Sequence, residues 1–205
     1  MLLHRKNKPY KQYKYIQGYK FRNRIDAIKA KNKKRIEEFI AFFKEAKPYL
    51  QEGNILCLGA RTGCEVEAAR QVGFNNSIGV DLYPAGKNVI YGDWHNLPFK
   101  NNSFSNVFTN SLDHCYDIDK LSNEIQRVLI LNGGLFIQVQ KKDALKNKKD
   151  KNKHIEEEYL DYLFWDEIND LQTYFYKKGF ELFYTWNDDK RESFVLRGCK
   201  HNGNK

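Results

Sequence analysis

The sequence predicts an α/β fold, a largely parallel sheet with helices on both faces that ends in an antiparallel hairpin. Two observations carry this. Between residues 54 and 140, short apolar runs of strand length alternate with segments of helical period, as in strands linked by crossover helices. After residue 179, two strand-like runs flank a polar turn. A chain of 205 residues, 41% hydrophobic and 15% aromatic, is long enough for one full core and is expected to build only one.

The elements follow in order. Residues 1–23 mix Lys and Arg with Tyr10, Tyr13, Tyr15 and Tyr19 without a clear period, and read as a mobile or loosely docked arm. A helix is expected from Ile25. In its second half Ile36, Phe39, Ile40, Phe43 and Ala46 share one face, and Pro48 and Gly53 close it. Asn54–Leu58 is an apolar run suited to a strand buried on both faces. Gly59 to Gly63 is a tight turn, and Glu65–Val72 is a helix. Ser77–Leu82, Asn88–Tyr91 and Asn106–Thr109 are the next three strands. Ile118, Leu121, Ile125, Val128 and Leu129 mark an amphipathic helix, capped by Asp117 or Asp119 and stopped by Asn132, Gly133 and Gly134. Leu135–Val139 is the fifth strand. Asp166 is expected to cap a helix running through Lys178. Phe164, Trp165, Phe175 and Tyr176 fall near helical spacing and are assigned to core packing. Phe180–Trp186 and Glu192–Arg197 form the hairpin around the turn from Asn187 to Lys190.

The net charge of +9 is unevenly spread. Residues 1–50 hold 15 Lys and Arg against 4 Asp and Glu, and residues 141–153 hold 7 Lys against 2 Asp. The basicity therefore sits on an arm and a loop, and the remaining body is acidic. The expected organisation is a basic arm and helix over 1–50, one domain over 51–200 carrying the basic loop at 141–153, and a tail at 201–205. Such an arrangement is a weaker pointer to nucleic acid than a basic core would be. No apolar run approaches the ~18 residues of a membrane span. Cys57, Cys64, Cys115 and Cys199 lie far apart with no Cys-x-x-Cys spacing, so neither a disulfide framework nor a zinc site is expected, and a cytoplasmic location is the expectation.

Three strand ends carry polar groups suited to one ligand. After the first strand, Gly59 permits close backbone approach, and Gly63 tightens the turn into the helix. Asp81 ends the second strand, where its carboxylate is placed to accept both hydroxyls of a ribose. Gly92, Asp93 and Trp94 follow the third strand and offer an acid for an adenine amino group beside an aromatic wall.

In order and spacing, Gly59-x-x-x-Gly63, Gly79-Val80-Asp81, the segment from Gly92 to Phe99, and Glu124–Leu129 followed by Asn132-Gly133-Gly134 resemble the class I S-adenosylmethionine-dependent methyltransferases. The likeness is to their small-molecule, ubiquinone-biosynthesis-like "type 11" branch. It is close over residues 54–140 and does not cover residues 1–50. It implies a Rossmann-like sheet of seven strands with the last antiparallel, and S-adenosylmethionine as cofactor. The expected cofactor-binding residues are Gly59, Ala60, Arg61, Gly63, Glu65, Asp81, Leu82, Asp93, Trp94 and Asn110. The family usually has an acid at Cys57 and a glycine at Arg61. Arg61 is therefore expected to pair with the methionine carboxylate, and Glu65 to orient Arg61 or take the ammonium.

The loop from Thr109 to Cys115 faces the transferring methyl in this fold, which makes Asp113 and His114 the catalytic candidates, His114 first. The expected activity is methyl transfer to a small-molecule or glycan-type acceptor, at oxygen. The alternatives are an RNA methyltransferase using the basic arm and a catalytically silent cofactor-binding scaffold.

Overall fold

The computed structural model describes residues 2–4, 9–141 and 163–198. The basic loop beyond Lys141, the tail and Cys199 lie outside the described residues.

The chain opens with β1 (Leu3–His4), then α1 (Tyr10–Lys29) and α2 (Asn32–Ala46). The parallel part of the fold follows as β2 (Ile55–Leu58), α3 (Cys64–Gln71), β3 (Ile78–Asp81), β4 (Val89–Tyr91), β5 (Phe104–Thr109), α4 (Ile118–Val128) and β6 (Leu129–Gln140). Beyond it come β7 (Leu163–Phe164), α5 (Ile168–Lys177), β8 (Phe180–Asn187) and β9 (Arg191–Gly198).

Seven strands form one sheet in the order β4-β3-β2-β5-β6-β9-β8, while β1 and β7 pair separately. All four residues of β2 are buried, which places that strand at the centre. It pairs in parallel with β3 on one side and β5 on the other. The strand order therefore reverses at β2, and a crevice opens above the carboxyl ends of these strands. β9 runs antiparallel to both β6 and β8, so the expected terminal hairpin is present.

One face of the sheet is packed by aromatic rings. Phe39, Phe42 and Phe43 of α2 meet Phe108 of β5 and Phe136 of β6, with ring centroids 5.2 to 6.0 Å apart. Such pairs add about 0.5–1.5 kcal/mol each beyond their area burial, which fixes α2 firmly. Ile118, Leu121, Ile125 and Val128 of α4 and Leu171 and Phe175 of α5 belong to the other cluster. Arg127 grips Glu124 through two 2.7 Å bonds and also donates to the Leu97 and Phe99 carbonyls, while Glu124 accepts from the Leu97 amide. That clamp explains Glu124 and Arg127 physically: they hold the segment after β4 against the sheet.

Several expectations need correction. The described part of the arm is not without period, because residues 10–29 form one helix with Tyr13 and Gln17 buried. Its period was masked because tyrosines, a glutamine and a glycine, rather than aliphatic residues, line the buried face. The helix expected from Ile25 is thus two helices, broken at Ala30 and Lys31. α4 stops at Val128 rather than near Gly133, since Leu129 already pairs with Phe104. Of the two caps expected for it, Asp117 is the one that accepts from the Lys120 amide. Glu167, not Asp166, caps α5 in a reciprocal pair with Asp170. Phe164 lies in a strand and Tyr176 is exposed, so only Phe175 of that aromatic group is a core residue of α5.

Candidate functional site

A cleft of about 190 Å³ lies above the carboxyl ends of β2, β3 and β5. Gly59, Ala60 and Arg61 form its floor beside Asp81, Leu82 and Trp94, and Ser111 and His114 stand on the side of β5. Tyr13, Gln17 and Ile28 of α1 and Arg35 of α2 close it from above.

The floor is set by the glycine turn. Gly59 takes a φ of +73°, which an L side chain rarely adopts, and its amide donates to the Val80 carbonyl at 2.8 Å. A Cβ there would come within 3.1 Å of Ser111, so glycine keeps the turn open toward β5. Arg61 also has positive φ, at +22°. Its amide donates to Asp81 Oδ2 at 3.1 Å and its Nε stands 3.8 Å from the same oxygen. Asp81 Oδ1 accepts from the Tyr83 amide at 2.7 Å. Burial pushes the Asp81 carboxyl above its ordinary range, against the pull of Arg61.

Glu65 is buried on α3, in a 2.9 Å ion pair with Arg35, while its other oxygen, Oε2, has no hydrogen-bond partner among the described residues. Burial raises its carboxyl, with Arg35 opposing. Glu65 therefore does not orient Arg61 here: Arg35 takes Glu65 and Asp81 takes Arg61. Glu65 also pushes the Cys57 thiol up, second to burial, which puts this carboxylate beside the position where an acid was expected.

Asp93 sits outside the cleft wall, and its oxygens are engaged. Tyr10 donates to Oδ2 at 2.5 Å, and His95 reaches Oδ1 through its amide at 3.0 Å and Nδ1 at 2.9 Å. His95 Nε2 accepts from the Asp117 amide at 3.1 Å, which leaves the ring proton on Nδ1, facing Asp93. Burial opposes ionisation of Asp93, yet the bonds from His95 and Tyr10 hold its carboxyl at about 2. An adenine amino group would find this acid already bonded to α1.

Of the two catalytic candidates, His114 lines the cleft and Asp113 does not. Both lie in a short 3-10 turn, Leu112–His114, and the His114 carbonyl accepts from the Tyr13 hydroxyl at 3.0 Å. Gly63 caps α3 at a φ of +77°, away from the cleft wall, and Asn110 accepts a bond from the Ser111 hydroxyl. Residue-by-residue reading of the motifs missed Tyr10, Tyr13, Gln17, Arg35 and His95. The first four come from helices outside the recognisable motifs, and no spacing in the sequence ties them to the strand ends.

Residues 56–137 match the family model described as a methyltransferase domain. Over that segment the chain is similar to methyltransferase domains, and S-adenosylmethionine is the cofactor this similarity implies. No curated protein matches it. Among solved structures, a chain of the complex between the Haloferax volcanii Trm112 methyltransferase activator and the putative methyltransferase is similar at a TM-score of 0.66 and 16% identity. That likeness covers 89% of this chain and 99% of the other. A possible histamine N-methyltransferase from Thermotoga maritima is similar at 0.63 and 20% identity, covering 88% and 98%. Phosphoethanolamine N-methyltransferase 2 of Haemonchus contortus, solved with S-adenosylhomocysteine, is similar at 0.58 and 16% identity, covering 80% and 53%. At these identities the likeness is one of fold.

The polar groups of the cleft suit the chemistry of the cofactor. Three buried donor atoms on its wall, Arg61 Nε, Gln17 Nε2 and Trp94 Nε1, have no hydrogen-bond partner among the described residues. Buried donors are nearly always met in folded proteins, so three unmet ones in a single cleft mark a place for an oxygen- and nitrogen-rich ligand. Among the described residues no group of His, Cys, Asp and Glu is placed to hold a metal, and no helix is long and apolar enough to cross a membrane.

Proposed function

We propose that the protein transfers a methyl group to a hydroxyl of a small-molecule or glycan-type acceptor inside a cleft closed by α1. The observation that carries this reading is the juxtaposition of His114 with Asp81, Arg61 and Trp94 in one cleft beneath Tyr13 and Gln17. Bound S-adenosylmethionine supplies an electrophilic methyl on a sulfonium that is a good leaving group.

The chain supplies position and proton transfer. Asp81 accepts from ribose hydroxyls, with Leu82 and Trp94 as apolar walls. Gly59 and Ala60 give backbone space. Arg61 turns from Asp81 to hold the methionine carboxylate, and Glu65, through its unmatched oxygen, takes the ammonium. Asn110, beside Ser111, shapes the strand end next to these groups. Asp93 reaches the adenine side only when Tyr10 yields its bond. His114 takes the acceptor proton. Asp113, off the cleft, supports that turn. Holding two reactants in line is the larger part of the catalysis, and a positioned base adds roughly 10²–10⁴-fold.

The helical roof supports a small acceptor over a polynucleotide. Ligand pockets are typically about 300–1,000 Å³, and a cleft of about 190 Å³ under α1 must open even for the cofactor. The test is mass spectrometry of a native extract incubated with the protein and methyl-labelled cofactor. A labelled small molecule or saccharide is expected. Label confined to RNA would overturn the acceptor class.

A further inference from the structure

We propose that Gln17 of α1 binds the cofactor directly, its side-chain amide donating to a ribose hydroxyl oxygen opposite Asp81. The proposal rests on reading this cleft as the cofactor site. It assigns a specificity-determining residue to a helix that lies wholly outside the matched domain of residues 56–137.

Gln17 is 4% exposed, and its Nε2 is buried with no hydrogen-bond partner among the described residues. A glutamine amide with this surrounding is a standing cost to the fold unless something in the cleft meets it.

The surroundings fix the turn of α1 that carries the amide. Three residues before it, the Lys14 carbonyl accepts from the Tyr83 hydroxyl at 2.8 Å. One residue after it, Gly18 lies so close to the same ring that a Cβ would meet the Tyr83 hydroxyl at 2.6 Å. The Tyr83 amide in turn donates to Asp81 Oδ1 at 2.7 Å. Tyr83 thus ties the turn of α1 that carries Gln17 to the strand end that carries Asp81, and both side chains line the same cleft.

The chemistry of a sugar matches this pair. A carboxylate only accepts, so a ribose hydroxyl facing Asp81 donates its hydrogen bond there and keeps lone pairs on a buried oxygen. An amide N–H from the opposite wall meets them. A lysine in this place would compete for Asp81 as an ion partner against Arg61. The neutral amide supplies a donor and leaves the charges of the site alone.

The experiment is calorimetric titration of the full chain with S-adenosylhomocysteine and its 2′-deoxy and 3′-deoxy analogues. Wild type is compared with Gln17→Met, which keeps length and bulk but lacks the donor, and with Gln17→Glu, which replaces the donor with an acceptor. Gln17→Met is expected to weaken S-adenosylhomocysteine roughly 3- to 10-fold, the size of one hydrogen bond. Against the deoxy analogue that lacks the bonded oxygen, it should bind as wild type does. Gln17→Glu should weaken binding further, with the same dependence on the missing hydroxyl, and it carries the comparison if Gln17→Met fails to fold. Unchanged affinity in the variants, or an equal loss for all three ligands, would overturn the proposal while leaving the cofactor site standing. Absence of binding by the wild type would overturn the site reading and this proposal with it.

Discussion

Arg61 is the residue at which this chain departs furthest from the pattern it resembles, and its backbone shows the cost. A φ of +22° on an arginine is strained, and glycine would relieve it. Arg61→Gly is expected to lower affinity for S-adenosylhomocysteine while leaving adenosine binding unchanged or improved, since adenosine lacks the amino-acid end and Asp81 loses a competitor. Calorimetry with both ligands checks this; equal losses would mean that Arg61 acts only on the turn. His114 poses a separate question, because it either moves a proton or packs beneath β5. For His114→Ala we expect turnover to fall by about 10²-fold or more, with cofactor affinity and melting temperature nearly unchanged. Lost stability with retained activity in the folded fraction would leave methyl transfer intact and remove the base. Motif spacing made Gly59 and Asp81 legible as cleft residues, and the resemblance added His114. The pairing of Glu65 with Arg35 was not legible, because it depends on where α2 docks 30 residues upstream.

At the scale of elements, α1 and α2 differ in how they are held. Phenylalanines bind α2 to the sheet, whereas α1 is held mainly by polar bonds from Tyr10, Tyr13 and Tyr83 and by ring contacts, with Tyr10 and Tyr116 4.9 Å apart and Phe21 and Tyr83 5.8 Å apart. An element with little apolar burial opens first, so α1 is the lid of the cleft and α2 its fixed hinge side. The bond from Tyr10 to a carboxylate is worth about 1.5–3 kcal/mol. Tyr10→Phe should therefore raise hydrogen exchange over residues 10–29 while exchange in β2 and β5 stays unchanged. Acid should do the same. Asp93 is held at about 2 against an ordinary value of 3.8, so its stabilisation is full above about pH 4 and lost as pH falls toward 2. Exchange measured across that window should show α1 released before the sheet; simultaneous release would contradict the latch. The strands were readable because apolar runs of strand length have few other uses. The start of β6 was not, because Val128 and Leu129 continue the helical period of α4. Pairing with Phe104 overrides that local preference.

For the whole molecule, function follows from strand order. β2 lies between β3 and β5, so Gly59, Asp81 and His114, far apart in sequence, stand at one reversal point of the sheet. The α/β class and the terminal hairpin follow from local patterns, and the count of seven strands came through the resemblance. The roof over the crevice could be found only in three dimensions, since residues 10–35 reach the strand ends by tertiary contact alone. The central claim is that this roofed crevice holds the cofactor through Asp81. Calorimetric titration of S-adenosylhomocysteine into wild type and Asp81→Ala tests it most directly. The account predicts binding by the wild type and a loss of about 1–3 kcal/mol in the variant, with ligand at ~100 times its dissociation constant adding roughly 2.7 kcal/mol to wild-type stability. Equal affinity in both proteins, or no heat and no melting shift at millimolar ligand, would contradict it.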